Sequence, residues 1–221
     1  EEIFNQDVHY DTYFNTAEGD SSGLNFLLSK NNQMQRRFAE FTGQFFWNFK
    51  RMDNVNYNFE IIETLFLAKK TSNDPHFNKP IIILLVAIIE CCLYDFLVRI
   101  NQHRYDAVPN LAQPIITYIR SMGETDELKR LIPRVRSQNL LRVNPEDTLY
   151  DDLEFLRKVR NRVHIQNRYS VLSRNESAVF TNVTLELAQD CLEKVVGTLC
   201  NTYPRWGSQP ISMTDFPRPW L

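Results

Sequence analysis

Glycine is scarce, with six residues in a chain of 221. An all-β chain of this length needs more turn-formers, so the scarcity points to helices. A large excess of one charge is also missing. There are 25 Lys and Arg against 27 Asp and Glu, a formal charge of −2, which excludes the bulk electrostatics of a strongly basic nucleic-acid binder. Cysteine occurs only at Cys91, Cys92, Cys191 and Cys200, all within apolar helical stretches. That usage fits reduced core thiols of a cytoplasmic protein and excludes a disulfide framework or a zinc site. Glycine-rich phosphate loops, metal-ligand clusters and nucleophile elbows are absent, so no cofactor or metal is expected. A hydrolase built on scattered carboxylates or thiols has no motif behind it. No internal repeat, low-complexity segment or N-terminal targeting segment is read.

What is present is a large apolar fraction, 43%, beside 24% charged residues. This suffices for a sizeable core. The longest apolar run, Ile81 to Ile89, continues through Glu90, Cys91, Cys92, Leu93, Tyr94, Asp95, Phe96, Leu97 and Val98. It approaches membrane-span length. Glu90 and Asp95 interrupt its middle and would be costly in lipid, so a buried core helix is expected and no membrane partner.

The pattern predicts an all-α fold. Residues 1–21 read as an irregular arm, and 24–50 and 55–70 as two Phe-rich helices. Pro80 suits the first turn of a long helix over about 79–103. Shorter helices follow over about 113–121, ending near Gly123, and 125–138, where Pro133 marks a kink. Asn144-Pro145-Glu146-Asp147 starts a helix over about 146–164. Tyr169–Leu172 and Ala178–Thr181 suggest a small hairpin near 169–181. A helix over about 182–202 precedes a Pro- and Trp-containing tail, 204–221, laid along the surface. The implied division is 1–75 as arm and helical extension, 76–203 as a helical bundle, and 204–221 as tail.

Charge is unevenly spread. From Lys129 to Arg174 there are eleven bases and five acids, which fits either a local basic face or a solvated helical surface. Within it, Leu149, Leu153, Leu156, Val159 and Val163 form one apolar stripe at about 100° per residue. Arg157, Arg160, Asn161 and His164 form a second stripe on an adjoining face. Arg160 falls about 20° from Leu149, inside the apolar edge. An arginine there needs a partner, and Glu90, the acid in the other strongly apolar helix, is the expected one. With Arg160 so held, Arg157, Asn161 and His164 are left more available to a phosphate.

Such a stripe has the parts for metal-free RNA cleavage. His164 can exchange a proton near neutral pH. An arginine fork can stabilise charge developing on phosphate, and Asn161 can orient the imidazole or hold a phosphate oxygen. RNA supplies its own nucleophile, the 2′-hydroxyl. The spacing alone is common: Arg99 and His103 repeat it, and the same residues also suit a solvated surface.

At these residues the chain resembles the HEPN superfamily, the higher eukaryote and prokaryote nucleotide-binding domains. Three features carry the resemblance. One is the apolar helix Ile81 to Ile100 with the internal acid Glu90. The next is the helix Leu131 to Asn139 followed by Leu140-Leu141. The third is the helix closing in Leu156-Arg157-Lys158-Val159-Arg160-Asn161-Arg162-Val163-His164-Ile165, with a final packing helix after it. The resemblance covers about 78–203 and implies an α-helical bundle, commonly dimeric, in a family rich in metal-independent ribonucleases of toxin–antitoxin, phage-defence and RNA-processing systems. It implies Arg157, Arg160, Asn161 and His164 as catalytic residues, Glu90 as support, and Lys158, Arg162 and Arg168 as RNA contacts. The implied partners are RNA, a second copy across whose interface the site forms, and an antitoxin or other protein. The family motif is Arg, often followed by a polar residue, then His after four to six intervening residues. Arg160-Asn161 has the dipeptide but lies three residues short of His164; Arg157 has the spacing without the Asn. Either Arg157 takes the catalytic role, or Arg160 does in a shortened register, or the module is silent and binds RNA or protein.

Overall fold

The computed structural model describes residues 52–102, 108, 110–163, 175–204 and 218–221. Among them are six α-helices and no strand. They are α1 (Met52–Ser72), α2 (Asn78–Gln102), α3 (Gln113–Ser121), α4 (Leu128–Ser137), α5 (Leu149–Arg160) and α6 (Asn182–Thr202). The fold is all-α. The expected arm over 1–21 and helix over 24–50 lie outside the described residues.

The entry to α2 is built from local chemistry. Asp74 accepts a hydrogen bond from the His76 backbone N–H at 2.9 Å, Pro75 sets the first φ, and a short 3₁₀ turn, Pro75–Phe77, leads into the helix. Twenty-five residues without glycine follow. The helix is long and apolar enough to cross a membrane by composition. In the fold it is the central element, contacting each of the other five helices. Ile81, Ile82, Leu85, Ile89, Leu93 and Phe96 are fully buried, which is why its apolar residues run all round rather than along one stripe.

The other helices pack around it. From α1, Val55, Phe59 and Ile62 belong to the same core, so this helix, assigned from sequence to an extension before residue 76, shares the interior of the bundle. Thr181 caps α6 by accepting from the Thr184 N–H at 3.2 Å. The α6 face Leu185, Ala188, Leu192, Val195 and Leu199 is buried at helical spacing. Gly123 takes φ +69°, the left-handed conformation that turns the chain after α3. Arg134, buried on α4, donates to the backbone carbonyls of Met122 and Gly123 and so satisfies the end of α3. Tyr150 links α4 to α5: its hydroxyl donates to the Val135 carbonyl and accepts from the Leu141 N–H, each at 3.1 Å.

One expectation is corrected. No hairpin forms on its described side, because Glu176–Ala178 is a 3₁₀ turn, Val179 and Phe180 bury as turn residues, and Thr181 is spent on capping α6. Residues 169–172 lie outside the described residues. The described tail residues, 218–221, pack on the bundle. Trp220 packs against Phe59 and Phe66, with ring centroids 6.4 Å and 5.9 Å apart, and Arg218 pairs with Glu193 at 2.8 Å.

Candidate functional site

The site grows from the end of α5. Leu149, Leu153, Leu156 and Val159 are buried in the core, which fixes the rotation of the helix and turns Arg157 and Arg160 to its flank. The α-helix stops at Arg160, and Asn161–Val163 continues as a 3₁₀ turn. A 3₁₀ turn advances about 120° per residue instead of about 100°. The turn leaves Val163, which was expected to complete the apolar stripe, 47% exposed. Arg162 is buried, at 9% exposure. Among the described residues, the Nε and Nη2 atoms of Arg162 are buried without a hydrogen-bond partner. Arg162 was expected as an RNA contact; its side chain is buried at this end of α5. Lys158 is exposed, and His164 and Arg168 lie outside the described residues.

Glu90 and Arg160 form the ion pair expected from their positions, with Arg160 Nη2 donating to Glu90 Oε2 at 2.8 Å. The sequence did not reveal the second duty of this carboxylate. Glu90 Oε1 accepts the backbone N–H of Leu128 at 3.0 Å and caps α4 from outside, where Glu127 makes no side-chain cap of its own. One carboxylate thus binds α2, α4 and α5 together. Arg157 donates through Nε to Glu154 at 2.8 Å. Its side chain is 21% exposed against 35% for Arg160. The order of availability is therefore the reverse of the expected one, because Glu154, one turn earlier on the same face, holds Arg157 down.

Arg157, Arg160 and Asn161 open on one pocket of about 320 Å³ together with Glu90 and the chain from Asp126 to Lys129. Asp126 and Glu127 are not singled out by the sequence, and Lys129 only as the first base of the Lys129–Arg174 segment. The only signal was a charged run ahead of a helix, which is common at surfaces. Glu127 pairs with Lys129 at 3.2 Å and Arg130 at 3.5 Å. The lining holds three cations and three carboxylates, with Glu90 paired to Arg160 and Glu127 to Lys129, so the pocket is of mixed sign rather than uniformly basic. A larger pocket of about 430 Å³ lies at the starts of α2 and α6, where Lys79 and Glu176 pair at 2.7 Å; no predicted site residue lines it. Among the described residues, no three His, Cys, Asp or Glu side chains gather in a way that could hold a metal ion.

Comparisons with protein-family models, with curated proteins and with solved structures find no match to this chain.

Proposed function

We propose that the chain is a metal-independent endoribonuclease of HEPN type, active as a homodimer that brings two copies of the α5 end together over RNA. The reading rests on one observation: Arg157, Arg160 and Asn161 line the same open pocket, with Arg160 oriented by Glu90. Guanidinium forks fixed from behind suit a phosphate whose charge grows in the transition state. His164, four residues after Arg160 in sequence, is the proton carrier. The 2′-hydroxyl attacks phosphorus as a base removes its proton, the bond to the 5′-oxygen breaks, and that oxygen receives a proton. The products are a 2′,3′-cyclic phosphate and a 5′-hydroxyl. Lys158 and Arg168 extend the RNA contact. A cytoplasmic effector of phage defence or a toxin restrained by an antitoxin is the setting this activity implies.

A second reading is favoured by the three carboxylates of the pocket and by the grip of Glu154 on Arg157. On it, the module binds RNA or a protein without cutting. RNA cleavage in EDTA separates the two. Wild type is expected to give cyclic-phosphate ends, and His164→Ala to lose about 10²–10⁴-fold in rate. Equal cleavage by both proteins removes His164 from the mechanism, and RNA binding without cleavage by wild type establishes the silent module.

A further inference from the structure

We infer that Asp126 reads the base of a nucleotide held in the α4–α5 pocket, and that the base it selects is guanine. The inference rests on the nucleotide reading above and narrows its substrate. The end of α5 supplies the donors Arg157, Arg160 and Asn161, and the entry to α4 supplies the carboxylates of Asp126 and Glu127. Glu127 is engaged by Lys129 and Arg130. Asp126 is exposed and, among the described residues, makes no hydrogen bond or ion pair. Capping of α4 does not require it, because Glu90 already accepts the Leu128 N–H. An exposed carboxylate in the same pocket as Lys129 and two arginines disfavours a ligand that is anionic throughout. It suits one that is anionic at one end and presents N–H donors at the other, as a nucleotide does.

The two ends are held in a fixed relation. Glu90 bonds Arg160 through Oε2 and Leu128 through Oε1, and Leu128 is the second residue after Asp126. One rigid carboxylate thereby sets the reach from the phosphate-binding arginine to the base-reading acid. The pocket, about 320 Å³, lies within the range of small-ligand sites.

The choice of base follows from donor patterns. An ionised carboxylate only accepts, through two parallel oxygens. Guanine alone presents two adjacent donors on one edge, N1–H and the 2-amino group, which match those oxygens as a bidentate pair. Cytosine and adenine each present one amino group beside a ring nitrogen acceptor. Uracil presents one N–H between two carbonyl oxygens, and a carboxylate facing them is repelled. Single-stranded RNA exposes these edges for reading.

Calorimetric titration of the full chain with 3′-GMP, 3′-AMP, 3′-CMP and 3′-UMP tests the assignment. Wild type is expected to bind 3′-GMP about tenfold more tightly than 3′-UMP. Asp126→Asn, which replaces one acceptor by a donor, is expected to bring the two within about twofold by weakening 3′-GMP. Asp126→Ser serves as a second variant, and circular dichroism checks the fold of both. Equal affinities in wild type, or a guanine preference that survives both substitutions, overturns the guanine assignment while phosphate-dependent binding stands. Failure of all four nucleotides to bind overturns the nucleotide reading, and this inference with it.

Discussion

Arg160 and Glu90 stand 70 residues apart in the chain and meet at 2.8 Å, and the same carboxylate reaches on to the Leu128 N–H at 3.0 Å. Both oxygens of Glu90 are therefore committed, one to a side chain of α5 and one to the backbone of α4. The group is structural and positional at once, since it fixes a guanidinium while supplying a helix cap that α4 lacks locally.

Glu90→Gln follows directly. Glutamine offers one acceptor oxygen and one amino group, so one of the two donors must lose its bond. With side chains 18% and 35% exposed, the pair lies between a surface pair and a buried one. The expected loss is about 1–2 kcal/mol in urea unfolding, with a coupling of about 1 kcal/mol to Arg160→Met in a double-mutant cycle. Additive single losses would mean the two side chains contribute independently.

Arg162 invites the opposite substitution. Its guanidinium carries buried Nε and Nη2 atoms without a partner among the described residues, and an uncompensated buried charge is destabilising. Arg162→Met keeps the length of the stem and removes the charge. The expected result is a gain of about 1–2 kcal/mol, read as a higher urea midpoint at unchanged slope. A lower midpoint would show that the charge is compensated.

These two arginines mark where the fold was legible and where it was not. The long helix, the 113–121 helix and the 182–202 helix are legible because apolar periodicity fills them, with Pro80 suiting the first turn of the long one. Arg160 can be paired with Glu90 from sequence because the helical phase puts Arg160 at the edge of an apolar stripe and Glu90 inside the other strongly apolar helix. The burial of Arg162 and the exposure of Val163 are not legible, because nothing in the sequence marks the change from α to 3₁₀ at Asn161. The Leu128 N–H was equally hidden, since a backbone donor carries no sequence identity. Ala178-Val179-Phe180 read as a strand arm because a short apolar run looks alike in a strand and in a buried turn. Asp126 escaped notice because an acid before a helix is ordinary; only its place in the arginine pocket gives it meaning.

Acid should loosen the joint between α5 and α6. Asp147 accepts from Lys194 Nζ at 3.1 Å and from the Leu149 N–H at 3.0 Å. The Lys194 hydrogen bond, then the Leu149 N–H, hold its carboxyl below the ordinary value of 3.8. A depressed folded-state value means that the stabilisation is present above the unfolded value and is lost as pH falls through the folded one. The melting temperature is therefore expected to drop below about pH 4, with a shallower drop in Asp147→Asn. Parallel profiles for the two proteins would show that other carboxylates govern the acid limb.

Thiol labelling offers a readout of where the bundle opens. Burial pushes the Cys191 and Cys200 thiols up to about 12 and raises Cys92 well above the ordinary thiol range. At pH 8 a thiol with a value near 12 is only ~10⁻⁴ ionised, and the thiolate is the reactive form. Cys91 is the half-buried member of the four. A disulfide reagent at pH 8 is therefore expected to modify one thiol rapidly, and Cys91→Ser to abolish that phase. The remaining three should react together, at a rate that rises with denaturant as the whole core opens, because Cys92, Cys191 and Cys200 all belong to it. Rapid labelling of Cys191 and Cys200 ahead of Cys92 would instead show α6 detaching from α2 as a separate unit.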